Sequence, residues 1–406
     1  MNPRAIIRFS GLALLVAAAD CKNGVTPPSP PPPPPPGAPV VRAGKDSTVQ
    51  VGATFTLSAT FTDTSSNGSP WNYGIDWGDG TNATGTKSSI APITGTHNYT
   101  AEGNYQVKVS VTNSHNMTGT DALTIDATPP VIIAAGDIAD CNRTQDNATG
   151  ALLPTLQGIV MPLGDNAYVS GTPTEYANCY DPAWGNAKSR TRPVLGNHDY
   201  YNPRADNVKN ADGYFGYFGQ AAGDPGKGYY DFTLGNWLVI VLNTGTENAD
   251  SIKAGSRQEQ WLRAELASHS QPCAVAMMHH PQFSTTTDRA FVRAETTPLW
   301  QALYDGGADL VLNGHDHNYQ RFKPMRPDGT ADAAFGIRQI TVGTGGGEGL
   351  YGFKDSTFAN LEVRNNTTVG VLKLTLHSNS YDWKFIPAAG GTFTDSGSGN
   401  CHGKPQ

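Results

Sequence analysis

Acidic, amide and imidazole side chains recur at five places between Asp137 and His317, four of them directly behind a glycine. They are Gly136-Asp137, Gly164-Asp165-Asn166-Ala167-Tyr168, Gly196-Asn197-His198-Asp199, His279-His280-Pro281 and Gly314-His315-Asp316-His317. Carboxylate, amide oxygen and imidazole suit hard to borderline cations such as Zn, Fe, Mn or Co. One Gly-Asp pair is an ordinary turn, but the series holds five of the chain's ten histidines and reads as a metal centre. There are more ligands than one ion accepts, with a carboxylate to share, so a pair of ions about 3.5–4 Å apart is expected. Such a pair acidifies a bound water into a nucleophile near neutral pH.

These residues must be carried to one point by the elements before them. Apolar, β-rich runs precede the motifs at Val131 to Ala135, Gly158 to Leu163, Pro193 to Leu195, Ala274 to Met278 and Leu310 to Leu312. Ligands of open α/β sheets gather at the carboxyl ends of strands, where these motifs fall. Glycine before a ligand is expected to supply the sharp turn. Further strands are read at Trp237 to Leu242 and Ile340 to Val342, and helices at Arg257 to Ala267 and Pro298 to Tyr304. The Gly343 to Gly349 loop is read as either a source of backbone amides for substrate or a plain turn.

The ordered motifs resemble the calcineurin-like metallophosphoesterase superfamily over roughly Pro130 to Pro387. Many of its members have a histidine two residues after the first aspartate, where this chain has Ala139. Tyr168 is the expected replacement, and that tyrosine is similar to the purple acid phosphatase branch. The resemblance implies an α/β catalytic domain, a β-sandwich flanked by helices, with two divalent or mixed-valence ions, Fe with Zn, Mn or Fe. It implies Asp137, Asp165, Tyr168 and His317 on the first ion, and Asp165, Asn197, His279 and His315 on the second. His198 is expected to act as proton donor to the leaving oxygen, with Asp199 orienting it and His280 a second candidate. Tyr201 and Arg321 are candidate substrate contacts. Gly-Asn-His is followed by Asp199 rather than the branch's glutamate, and no histidine lies between Pro281 and Trp300 to supply that branch's proton donor. The expected reaction is hydrolysis of phosphate monoesters, with diesters or nucleotides as alternatives. A surface adhesin with an inert phosphoesterase domain is the alternative of another class.

The remaining sequence divides by composition. Arg4 and Arg8 precede an apolar stretch from Gly11 to Ala19, which reads as a secretory signal over residues 1–20. Cys21 is a candidate lipid acceptor, although Asp20 fits such a site poorly; it would be the one link to a membrane. Residues 21–39 hold the run Pro30 to Pro36, a stiff polyproline II spacer. Residues 40–127 alternate apolar and polar positions, and carry Ile75-Asp76-Trp77-Gly78-Asp79-Gly80-Thr81 and Gly103-Asn104-Tyr105 before Val107, Val109 and Val111. They resemble a PKD domain, a small all-β, immunoglobulin-like sandwich that implies a polymer or surface ligand. The catalytic domain takes residues 128–388, and residues 389–406 are read as a flexible tail.

A net charge of −7 gives no nucleic-acid footprint, so a phosphorylated small-molecule substrate must be attracted locally. Setting Cys21 aside leaves Cys141, Cys179, Cys273 and Cys401, an even number that suits an oxidising compartment: secreted, periplasmic or cell-surface. Of three pairings, Cys141 to Cys179 with Cys273 to Cys401 is preferred, because Cys141 and Cys179 each follow a metal loop.

Overall fold

The structure, a computed structural model, describes residues 37–65, 67–200, 211–245, 252–287, 289–290, 292–354 and 358–405. The expected signal, Cys21, the proline run and Tyr201 lie outside the described residues.

The first unit is a sandwich. Strands Val40–Arg42, Thr54–Thr62 and Ile93–Asn98 form one sheet; Ser47–Gln50, Thr118–Thr128, Gly103–Thr112, Trp71–Asp76 and Asn82–Lys87 form the other. Period-two alternation sends Val107, Val109 and Val111 into a core shared with Leu57, Ile75, Trp77 and Ile93. Asp79 accepts from Thr81 and meets His97 Nε2 at 2.7 Å, while the His97 ring stacks on Trp77. Both polar residues therefore hold a turn in place.

The second unit is a larger sandwich. Its five-stranded sheet runs Ile159–Pro162, Val131–Ala135, Gly370–Leu376, Ser380–Pro387, Ser396–Asn400. Its seven-stranded sheet runs Tyr230–Leu234, Trp237–Leu242, Cys273–Met278, Leu310–Asn313, Arg338–Val342, Tyr319–Phe322, Leu361–Asn365. Parallel pairing at the centre of the seven-stranded sheet explains its unbroken apolar runs, since such strands are covered on both faces. Trp237, Val239 and Val241 point into the sandwich, whereas Leu238, Ile240 and Leu242 pack with helices Arg257–Ser268 and Thr297–Asp305 through Leu262, Leu266, Leu299 and Trp300. The run Pro193 to Leu195 makes only an isolated bridge, Leu163 to Val194, instead of a strand.

Cys141 is bonded to Cys179 and Cys273 to Cys401. The segment expected to be a flexible tail is instead part of the sheet: Ser396–Asn400 adds an edge strand, and Cys401 is fixed to the buried Cys273. Asp395 anchors it by accepting from Tyr319 OH at 2.7 Å, Arg321 Nε at 2.7 Å and Nη2 at 3.1 Å, and Trp383 Nε1 at 3.2 Å. Low hydropathy hid a segment whose order comes from its ladder to Ser380–Pro387, one carboxylate and one disulfide. Asp395→Ala leaves these donors short of a partner and should lower unfolding free energy by about 2–4 kcal/mol in urea titration. An unchanged denaturation midpoint would show that the anchor adds nothing.

Candidate metal centre

The motifs converge where the strands end. Tyr168 OH lies 3.0 Å from Asp137 Oδ1, 3.0 Å from His317 Nε2 and 3.3 Å from Asp165 Oδ2, and His317 Nε2 is 3.2 Å from Asp137 Oδ1. On the other side His279 Nε2 is 3.2 Å from Asp165 Oδ2, and His315 Nδ1 is 3.1 Å from Asn197 Oδ1. Donor atoms of Asp165, His279 and His315 all lie within 4.8 Å of one another. Asp165 Oδ2 thus faces both groups of ligands.

Each carboxylate has one oxygen fixed by the backbone. Asp165 Oδ1 accepts from His198 N at 2.7 Å, and Asp137 Oδ2 accepts from His315 N at 2.8 Å. His279 Nδ1 donates to the Leu163 carbonyl at 2.8 Å, which leaves the Nε2 lone pair directed elsewhere. His279 Nε2 and His315 Nε2 are buried without a hydrogen-bond partner among the described residues, and the 3.2 Å approach of His279 to Asp165 lacks the alignment of a hydrogen bond. Orphaned imidazole nitrogens beside carboxylates, a phenol and an amide fit two metal ions in both number and chemistry.

The charge balance agrees with cation binding. Burial opposes ionisation of Asp165, yet His279 beside it holds its carboxyl below the ordinary range; His279 is raised in turn, against burial, by Asp165. Burial and the Asp137 and Asp165 charges push the Tyr168 phenol well above its usual value, so protons occupy positions that a cation would take over.

The turns arise differently from expectation. Gly136, Gly196 and Gly314 are absent from the positive-φ positions, whereas the ligands Asp137, Asp165 and His315 have φ of 61°, 49° and 67°. The left-handed residues are therefore mainly the ligands, a conformation that stores strain at a site. Glycine is needed for close approach: a Cβ on Gly196 would stand 2.1 Å from Asp165 Oδ1.

Ala139 is buried on the short strand paired with that of Tyr168, a ladder in which Ala139 faces Ala167 and Asp140 faces Tyr168. The His198 ring, tilted against Tyr168, donates from Nδ1 to the Val169 carbonyl at 2.7 Å. The expectation that Asp199 orients it is corrected: Asp199 is buried, accepts from Asn166, Gly196 and Tyr176, and braces the Gly196 loop. Burial, with Asp165 nearby, raises its carboxyl to about 6. The His280 ring lies tilted against His315 at 4.1 Å and meets Thr244 Oγ1 at 3.1 Å; burial and neighbouring cations keep it neutral, a poor state for a proton donor. Arg321 is also corrected as a substrate contact. Its guanidinium is committed to Asp395 and Glu362 over the Trp383 ring. Three amides of the Gly343 to Gly349 loop are engaged within the fold: Gly343 N on Asn318 O, Gly345 N on Gly136 O and Gly347 N on Asp137 O.

Sequence reasoning missed four neighbours of the centre. Tyr351 stacks on His317 at 4.1 Å, and Glu348 Oε2 lies 3.7 Å from His317 Nδ1. Arg289 and Arg293 approach Asp316 Oδ1, between the two motif histidines. Glu348 had a signal in its glycine-rich loop; the arginines had none.

Comparison with known proteins finds a family model described as calcineurin-like phosphoesterase over residues 116–319, and one described as PKD domain over residues 37–146. An uncharacterized protein of Mycobacterium tuberculosis is 31% identical over 152 residues, 33% of this chain and 28% of its own length. Purple acid phosphatase 21 of Arabidopsis thaliana is 34% identical over 128 residues, 30% of this chain and 28% of its own length. The chain therefore spans little more than a quarter of the length of these relatives. Among solved structures, the PKD1 domain of the Vibrio cholerae metalloprotease PrtV is 28% identical, covering 22% of this chain and 96% of its own at a TM-score of 0.17.

Proposed function

This chain belongs to the calcineurin-like phosphoesterase family, and on that premise we propose that it is a metal-dependent phosphatase hydrolysing phosphate monoesters. The observation that carries the reading is the convergence of Asp137, Asp165, Tyr168, Asn197, His279, His315 and His317, with two imidazole nitrogens left unpartnered. Asp137, Asp165, Tyr168 and His317 would hold one ion, and Asp165, Asn197, His279 and His315 the other. When bound, the two cations supply Lewis acidity that compensates phosphoryl charge and makes water acidic.

The chain's own residues do the positioning. The Leu163 carbonyl fixes the His279 tautomer, and backbone N–H groups of His198 and His315 fix the carboxylates. His198, held by Val169, is the proposed proton donor to the leaving oxygen. The distinguishing test compares p-nitrophenyl phosphate, its bis ester and nucleotides. Strong diester turnover beside negligible monoester turnover would reject the monoesterase reading, and no turnover of any ester would leave the adhesin reading.

Iron paired with Zn, Mn or Fe is the proposed metal content, from Tyr168. Iron-loaded protein should show a visible phenolate-to-iron absorption that Tyr168→Phe removes. A colourless, active protein with two zinc or manganese ions would exclude the iron assignment. The two disulfides fit an extracellular setting, and secretion with a PKD unit that engages a polymer or surface is proposed on that basis.

A further inference from the structure

Two guanidinium groups share a single carboxylate, that of Asp316, in the last metal motif. Arg293 has a side chain only 9% exposed; Nη1 is 3.4 Å from Glu295 Oε1, and Nη2 is 3.7 Å from Asp316 Oδ1. Its Nε and Nη2 are buried with no hydrogen-bond partner among the described residues. Arg289, 34% exposed, brings Nε to 3.8 Å from the same Asp316 oxygen. Both contacts to Asp316 are beyond hydrogen-bond range, and that Asp316 oxygen has no hydrogen bond among the described residues, while its other oxygen accepts from Ser284 and Gln320. A buried guanidinium with unused N–H groups is costly unless an anion meets it.

The position of these groups points to substrate. Asp316, which both guanidinium groups approach, sits between His315 and His317 in the last metal motif. With a net charge of −7, the chain has no global field to gather anions. A local pair of cations, one buried and one partly exposed, supplies one, and the planar fork of arginine matches phosphate oxygens.

We infer that Arg289 and Arg293 form a subsite for a second phosphoryl group, so that the preferred substrates carry a phosphate next to the scissile one, as in a nucleoside diphosphate. The inference rests on the phosphoesterase reading.

The test uses the metal-loaded full chain with pyrophosphate and inorganic phosphate as calorimetric probes, and ADP and AMP as substrates. Loss of a charge-assisted contact should raise the pyrophosphate Kd by roughly ten- to a hundredfold in Arg289→Met and in Arg293→Met, with the KM ratio of ADP to AMP rising in parallel. Arg293→Lys, which keeps charge without the fork, should recover part of the loss. If Arg293→Met does not fold by near-ultraviolet circular dichroism, the more exposed Arg289→Met decides. A pyrophosphate-to-phosphate affinity ratio unchanged within about twofold in a folded variant overturns the subsite. If wild type hydrolyses no ester yet the variants lose pyrophosphate affinity, the hydrolytic reading falls and the subsite stands. If wild type hydrolyses both nucleotides with an unmoved KM ratio, the subsite falls and the hydrolytic reading stands.

Discussion

Asp165→Ala should yield a folded chain that binds at most one metal ion and whose hydrolysis falls by more than the roughly 10²- to 10³-fold loss typical of removing a single transition-state donor. Asp165 Oδ2 lies 3.3 Å from Tyr168 OH and 3.2 Å from His279 Nε2, so the substitution removes a ligand from each group at once. The fold is spared because neither sheet uses this side chain. In the metal-free protein the change has a second signature. His279 is raised by Asp165, so its charged form contributes stability that is fully present below the ordinary imidazole range and lost as pH rises through its folded pKa. Without Asp165 that slope of stability against pH should disappear, which a pH series of denaturant titrations reads directly. Two ions per chain by elemental analysis, or hydrolysis within tenfold of wild type, would overturn Asp165 as the shared ligand.

Gly196→Ala should be nearly as damaging, although no ligand is altered. The added carbon would stand 2.1 Å from both the backbone N and Oδ1 of Asp165, and a backbone cannot swing aside as a flexible side chain can. Either the Asn197 loop or the Asp165 carboxylate must retreat by about 1 Å, a displacement that costs on the order of 10² in rate. The N-terminal sandwich, whose core is separate, should keep its own unfolding transition. Measured kcat and metal content should fall together. A variant with full metal content and half the wild-type kcat would show that the loop absorbs the methyl group.

The metal motifs were legible because ligand chemistry leaves few alternatives. His279 and His315 mean little alone, but each follows a buried strand whose apolar run is visible at 273–278 and 310–313. The helix read at Arg257 to Ala267 is present as Arg257–Ser268, for the same reason of periodicity. What escaped depends on distant contacts. Arg321 lies four residues after His317, the end of the last motif, yet Asp395, 74 residues away, takes its guanidinium. Asp199 adjoins His198 in sequence but turns to Tyr176, so adjacency misassigned its role. Arg293 carries no sequence pattern at all; only the fold brings it to Asp316.

The pairing of the strands also sets an order in time. Every strand of the first sandwich lies between residues 40 and 128, so that unit is complete once residue 128 has been made. The strand that delivers Asp137, by contrast, pairs on one side with Gly370–Leu376, and Cys273 waits for Cys401. Because distant pairings form slowly and synthesis runs from the N-terminus, the small sandwich is a finished body while the metal-bearing sheets are still open. For that interval the half-made metal domain remains attached to a partner that has already folded.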